Sequence, residues 1–134
     1  MKKSVLAAAA LALAVIASAP ATAKENLMTT LPDSAIPVSD VYKQSIYDPK
    51  DNKVGDVNDL LVDKDGRIGA AIVGVGGFLG AGEKNVAVPF NALKLTEKNG
   101  KRYLVMDTTK EALNNASGYT FDRSTKQWVP AKQG

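Results

Sequence analysis

Ile68-Gly69-Ala70-Ala71-Ile72-Val73-Gly74-Val75 is the stretch whose reading decides the fold. It carries no charge and does not alternate: both faces of an extended chain here would be apolar. That pattern predicts a central strand, buried on both sides or lining a closed barrel. Turn chemistry bounds it. Asp63-Lys64-Asp65-Gly66 precedes it, with Gly66 able to take a positive φ, and the glycine-rich Gly76-Gly77-Phe78-Leu79-Gly80-Ala81-Gly82 follows.

Outward from this centre the punctuation stays that of a β protein. Val54 to Val62 reads as the preceding strand, although Val54, Val57 and Leu60 or Leu61 recur at helical spacing. Gly55, the β-branched content and the turn residues at both ends favour a strand. The broken alternation then predicts a bulge or sharp bend near Asp56. Asp48-Pro49-Lys50-Asp51-Asn52 is a turn, and Val41 to Tyr47 opens the folded domain. On the other side lies Val86-Ala87-Val88-Pro89-Phe90, where Pro89 must end a strand or sit on an edge. Leu93 to Glu97 and Arg102 to Met106 flank Asn99-Gly100, a mirror-turn hairpin signal. Six short strands with a turn about every ten residues give the spacing of a small barrel or sandwich.

A single short helix is marked at 109–116. Thr108 and Glu111 fit a capping box, and Gly118 stops the run. The tail at 119–134 has room for a hairpin, because Tyr119-Thr120-Phe121 and Gln127-Trp128-Val129 bracket Asp122 to Lys126.

The N-terminus reads as an export signal. Met1-Lys2-Lys3 is positive, Val5 to Ala17 is an unbroken run of thirteen apolar residues, and Ala21-Thr22-Ala23 offers small residues for cleavage. The run matches a signal peptide and falls short of a bilayer span. Cleavage after Ala23 leaves a mature chain of 111 residues, with no membrane span, bound for a bacterial periplasm or the outside. Residues 24–40, with Pro32 and Pro37, read as an extended, mobile arm ahead of a domain at 41–118. The mature balance is fifteen basic against fourteen acidic residues, which gives no electrostatic case for nucleic acid. The chain has no cysteine and no histidine. Disulfides, thiol nucleophiles, Ser-His-Asp triads and imidazole or thiolate metal sites are therefore excluded.

Several of these segments together resemble a known family. Ile46-Tyr47-Asp48, then Lys53 to Ile68, then Val75-Gly76-Gly77-Phe78-Leu79-Gly80-Ala81-Gly82-Glu83-Lys84, and finally Val86-Ala87-Val88-Pro89-Phe90-Asn91-Ala92-Leu93 are similar to the PRC-barrel family, over about Val41 to Met106. The resemblance implies a compact six-stranded β-barrel that serves as a protein-interaction module and not as an enzyme. The export signal and the missing membrane span set the chain apart from members that mature ribosomes or anchor photosynthetic reaction centres.

Weighing the chemistry yields no catalytic, cofactor or metal residue. Gly77 to Gly82 has a phosphate-loop gap, but Glu83-Lys84 stands where that loop needs Lys-Ser/Thr, and a carboxylate there repels phosphate. The Asp63 turn fails as a calcium loop, since Leu61 and Ile72 would hold its first and twelfth positions. Incidental cation binding by Asp48, Asp51, Asp63 and Asp65 stays open. Asp56 and Asp59 could serve as paired carboxylates only if a pocket enclosed them. Phe78 and Leu79 either plug the barrel's end or, with Glu83 and Lys84, form a contact for a protein partner or for a second copy of the chain. The leading expectation is a non-enzymatic module that binds another protein, or itself, through strand edges and the Phe78-Leu79 loop, and the alternative is a small-ligand or cation carrier of the envelope.

Overall fold

A computed structural model describes residues 26–76 and 82–132. The chain divides into two compact units, the first ending at Ala35 and the second beginning at Ile36. In the first, the Ala35 amide closes a turn on the Pro32 carbonyl at 3.1 Å.

The second unit is mainly β. Its strands are β1 (Ser45–Tyr47), β2 (Lys53–Val62), β3 (Ile68–Val75), β4 (Lys84–Pro89), β5 (Lys94–Lys98), β6 (Lys101–Val105), β7 (Tyr119–Asp122) and β8 (Gln127–Pro130), with one helix, α1 (Lys110–Asn114). All eight strands join one sheet in the order β5-β6-β1-β2-β3-β4-β7-β8. Every neighbouring pair is antiparallel except β1 and β6, which run parallel. The turns obey the local chemistry. Gly66 has φ 82°, and Asn99-Gly100 takes φ 52° and 79°, so both central residues are left-handed as the two-residue mirror turn demands.

β3 is central, and Ala71 to Val75 are buried without a break. The two faces of β3 are covered by different parts of the chain. On one face, Ala71, Val73 and Val75 join Ile46, Val54, Val57, Val86, Val88, Leu104 and Leu113 in one aliphatic cluster, with Leu95 packed against it. On the other face Ile72 is fully buried. Here the C-terminal hairpin folds back, and the Trp128 indole N–H on β8 donates to Asp59 Oδ2 on β2 at 2.8 Å. Burying a side chain such as Ile72 is worth roughly 1.5–3 kcal/mol.

Two expectations need correcting. The six strands do form, but they do not seal into a cylinder. Among the described residues β5 has no second strand partner, and the outer side of β4 meets β7 through Asn85 and Tyr119. That contact is a single residue pair, and the aliphatic cluster packs between the strands without closure of the sheet. The helix cap is also displaced by one residue. Thr109, not Thr108, accepts the Ala112 amide at 3.0 Å, because the Thr108 amide is spent on the Met106 carbonyl at 2.9 Å. Glu111 thus falls one place short of the position a capping box requires. The expected irregularity in β2 is present, with an extra residue, Asn58, where the β3 register shifts between Val57 and Asp59.

Candidate functional site

Phe78 and Leu79 lie outside the described residues. Glu83 and Lys84, at the far side of the same connection, are engaged within the fold. The Asn58 side chain donates to Glu83 Oε1 at 3.1 Å and to Asn85 Oδ1 at 2.8 Å. Lys84 Nζ donates to the Asn114 carbonyl at 2.6 Å, at the C-terminal end of α1, where a cation also meets the helix's exposed carbonyls. The bulge at Asn58 and the absence of a side chain at Gly74 make this polar seam fit. A Cβ on Gly74 would lie 2.4 Å from the Asn58 nitrogen and 2.5 Å from the Glu83 carboxyl carbon. The sequence offered one signal for the seam, the lost alternation in β2, and no signal for its partners across the sheet.

The carboxylates considered for catalysis are separated in their duties. Asp56 accepts from Ser45 Oγ at 3.0 Å and pairs with Lys53 at 3.2 Å. Asp59 accepts from Trp128 and from the Leu60 amide at 2.8 Å. The acidic turns use their oxygens on the backbone. Asp63 Oδ1 accepts the Asp65 and Arg67 amides, and Asp48 Oδ1 accepts those of Lys50 and Asn52. The Asn52 amide, aided by its side chain and by Lys50, holds the Asp48 carboxyl below the ordinary aspartate range. In the β7–β8 turn the Ser124 hydroxyl does the same for Asp122 at 2.7 Å, joined by the amides of Ser124 and Thr125. Among the described residues, no three acidic groups gather where they could hold a metal ion. No helix among them is long and apolar enough to cross a membrane.

Surface depressions are shallow. One of about 430 Å³ lies on the outer face of β5, β6 and β1, floored by the edge-to-face pair Tyr47 and Tyr103, with ring centroids 5.7 Å apart. The Lys98–Asp51 ion pair, 2.9 Å, rims it.

The backbone of β5 has no strand partner on its outer side among the described residues. Lys98 and Lys101 close the two-residue turn as a hydrogen-bonded pair, and pairing alternates from there along the hairpin. Lys94, Thr96 and Lys98 therefore bond to β6, while the N–H and C=O of Leu95 and Glu97 point away from the sheet. The match of Leu104 with Ile46 on the other side of β6 fits this alternation. β8, the opposite edge, differs. The Ala131 amide donates to the Gly118 carbonyl at 2.9 Å, so Val129 and Gln127 face β7 while Trp128 and Pro130 face outward. Pro130 places its missing N–H on that open side.

A small sheet, filled by its own aliphatic side chains and bearing a free strand edge, defines a β-barrel-type domain with its available chemistry on the outside. The chain belongs to the PRC-barrel family: the PRC-barrel domain model matches residues 33–113. The comparison with curated proteins finds no match.

Proposed function

We propose that the protein is a non-enzymatic docking module of the bacterial periplasm, exported by residues 1–23 and cleaved after Ala23, that holds a protein partner through its strand edges. The observation that carries the reading is the β5 edge: five residues of strand without proline, with the Leu95 and Glu97 backbone groups facing outward. Main-chain pairing along such an edge supplies affinity, and the flanking side chains supply choice of partner. The aliphatic filling of the interior supports the same reading, since it leaves recognition to the surface.

Affinity capture of the tagged mature protein from envelope extract, followed by mass spectrometry, tests it. A partner retained by the wild-type chain and lost with Glu97→Pro is expected. Recovery of the bait alone would sink the docking reading. A specific rise in melting temperature with calcium or a metabolite would instead favour an envelope ligand carrier, because a ligand that binds the folded state stabilises it by mass action.

A further inference from the structure

We infer that the occupant of β5 is an extended, acidic protein segment that adds as a ninth strand; this rests on the edge-docking reading and names the chemistry of its partner. Side chains alternate along β5. Leu95 packs against the core, so Lys94, Thr96 and Lys98 share the opposite face. Lys101, directly across from Lys98 on β6, lies on that same face. Three lysines thus line the surface beside the free backbone. Lys98 is balanced by Asp51, whereas Lys94 and Lys101 have no ion-pair partner among the described residues. A strand laid along β5 would set alternate side chains against Lys94 and Lys98, and carboxylates at those places complete the pairing.

The same lysines discriminate against a second copy. Two β5 strands that overlap over their full length in antiparallel fashion meet on a two-fold axis at Thr96. That register joins Leu95 to Glu97 by hydrogen bonds, yet it sets Lys94 of each copy against Lys98 of the other. Like charges directly opposite are destabilising, and lysine on an edge strand is a common guard against such self-pairing. In its full-length register the edge is guarded against copies of itself and open to a strand of opposite charge.

Amide shift titrations of the mature chain with two capped seven-residue peptides, one alternating glutamate with valine and the other lysine with valine, test the inference. The glutamate peptide is expected to move the Leu95 and Glu97 amides, and the lysine peptide to bind at least about tenfold more weakly. Glu97→Pro removes an outward N–H together with the Glu97 carboxylate and should abolish the Leu95 response while the Leu104 amide stays protected; Glu97→Gln, which removes the charge and keeps the N–H, should preserve the response. Should the proline variant fail to fold, Lys94→Glu serves, with an expected loss of about two- to fivefold for the glutamate peptide, the scale of one surface ion pair. Equal binding of both peptides would overturn the acidic preference and leave edge docking standing. Silence of β5 toward both peptides would overturn the inference, while docking elsewhere would still be decided by the capture experiment. Shifts of the same amides with protein concentration alone would assign the edge to a second copy and overturn it as well.

Discussion

The strands at the two ends of the sheet, β5 and β8, finish it in different ways. β8 is pinned: Trp128 is tied to Asp59 across the face of β3, and Pro130 takes one donor off the outer side. β5 is held by β6, by the packing of Leu95 and by the Lys98–Asp51 ion pair, and it keeps both outward residues complete. The sheet is therefore not symmetrical in its readiness to pair. One end has been spent on covering the second face of the central strand, and the other is left with its hydrogen-bonding groups unused.

The largest effect should come from the face that the β8 end covers. Ile72→Ala removes the buried side chain beneath the C-terminal hairpin and should cost about 2–5 kcal/mol in denaturant unfolding. If β8 is pinned as described, amide protection in β7 and β8 falls first. Trp128→Phe keeps the ring and deletes the bond to Asp59. A loss of about 1–3 kcal/mol is expected, the scale of leaving a part-buried acceptor unpaired, with exchange in β7 and β8 accelerated and β5 unchanged. Equal acceleration in β5 would break the comparison.

Smaller effects sharpen it. Gly74→Ala drives a methyl into the ends of the Asn58 and Glu83 side chains, which must swing aside, and should cost about 0.5–1.5 kcal/mol, the scale of a lost hydrogen bond. Pro130→Ala restores an outward donor on β8 and should alter stability by no more than about 0.5 kcal/mol, as surface changes usually do. If proline is what blunts that edge, the variant gains a β8 response to strand-forming peptides. Acid should act on the turns. Asp48 and Asp122 are held below the ordinary aspartate range in the folded chain. Their stabilising contribution is thus complete above the unfolded aspartate value near 3.9 and is lost as pH falls through their lowered values. Carboxyl titration by NMR checks the direction, and both groups should titrate below Asp side chains in a denatured reference.

The strands were legible because their signals are local. The unbroken apolar run at Ile68–Val75, the Asn99-Gly100 turn and Gly66 each specify backbone within a few residues. The helix was legible too, but its cap was not, because Thr108 and Thr109 are chemically equal and only the bond to Met106 separates them. The open sheet could not be read. Whether β4 meets β5 or β7 depends on pairing between distant segments, and the deciding link, Asp59 with Trp128, spans 69 residues. Sequence pointed to Phe78, Leu79, Glu83 and Lys84 as the contact. Glu83 and Lys84 have partners within the fold, and although strand-edge pairing was expected from the sequence, which strand offers free backbone groups emerges only once hydrogen-bond alternation is counted along the hairpin.

Native-state amide exchange at four neighbouring residues tests the central claim most directly. The Thr96 and Leu104 amides, which donate within the sheet, should be protected, while those of Leu95 and Glu97 should exchange at nearly the rate of an open chain. Protection of Leu95 and Glu97 equal to that of Thr96 in the isolated protein would mean that β5 already has a partner, and the free edge on which the function is built would not exist.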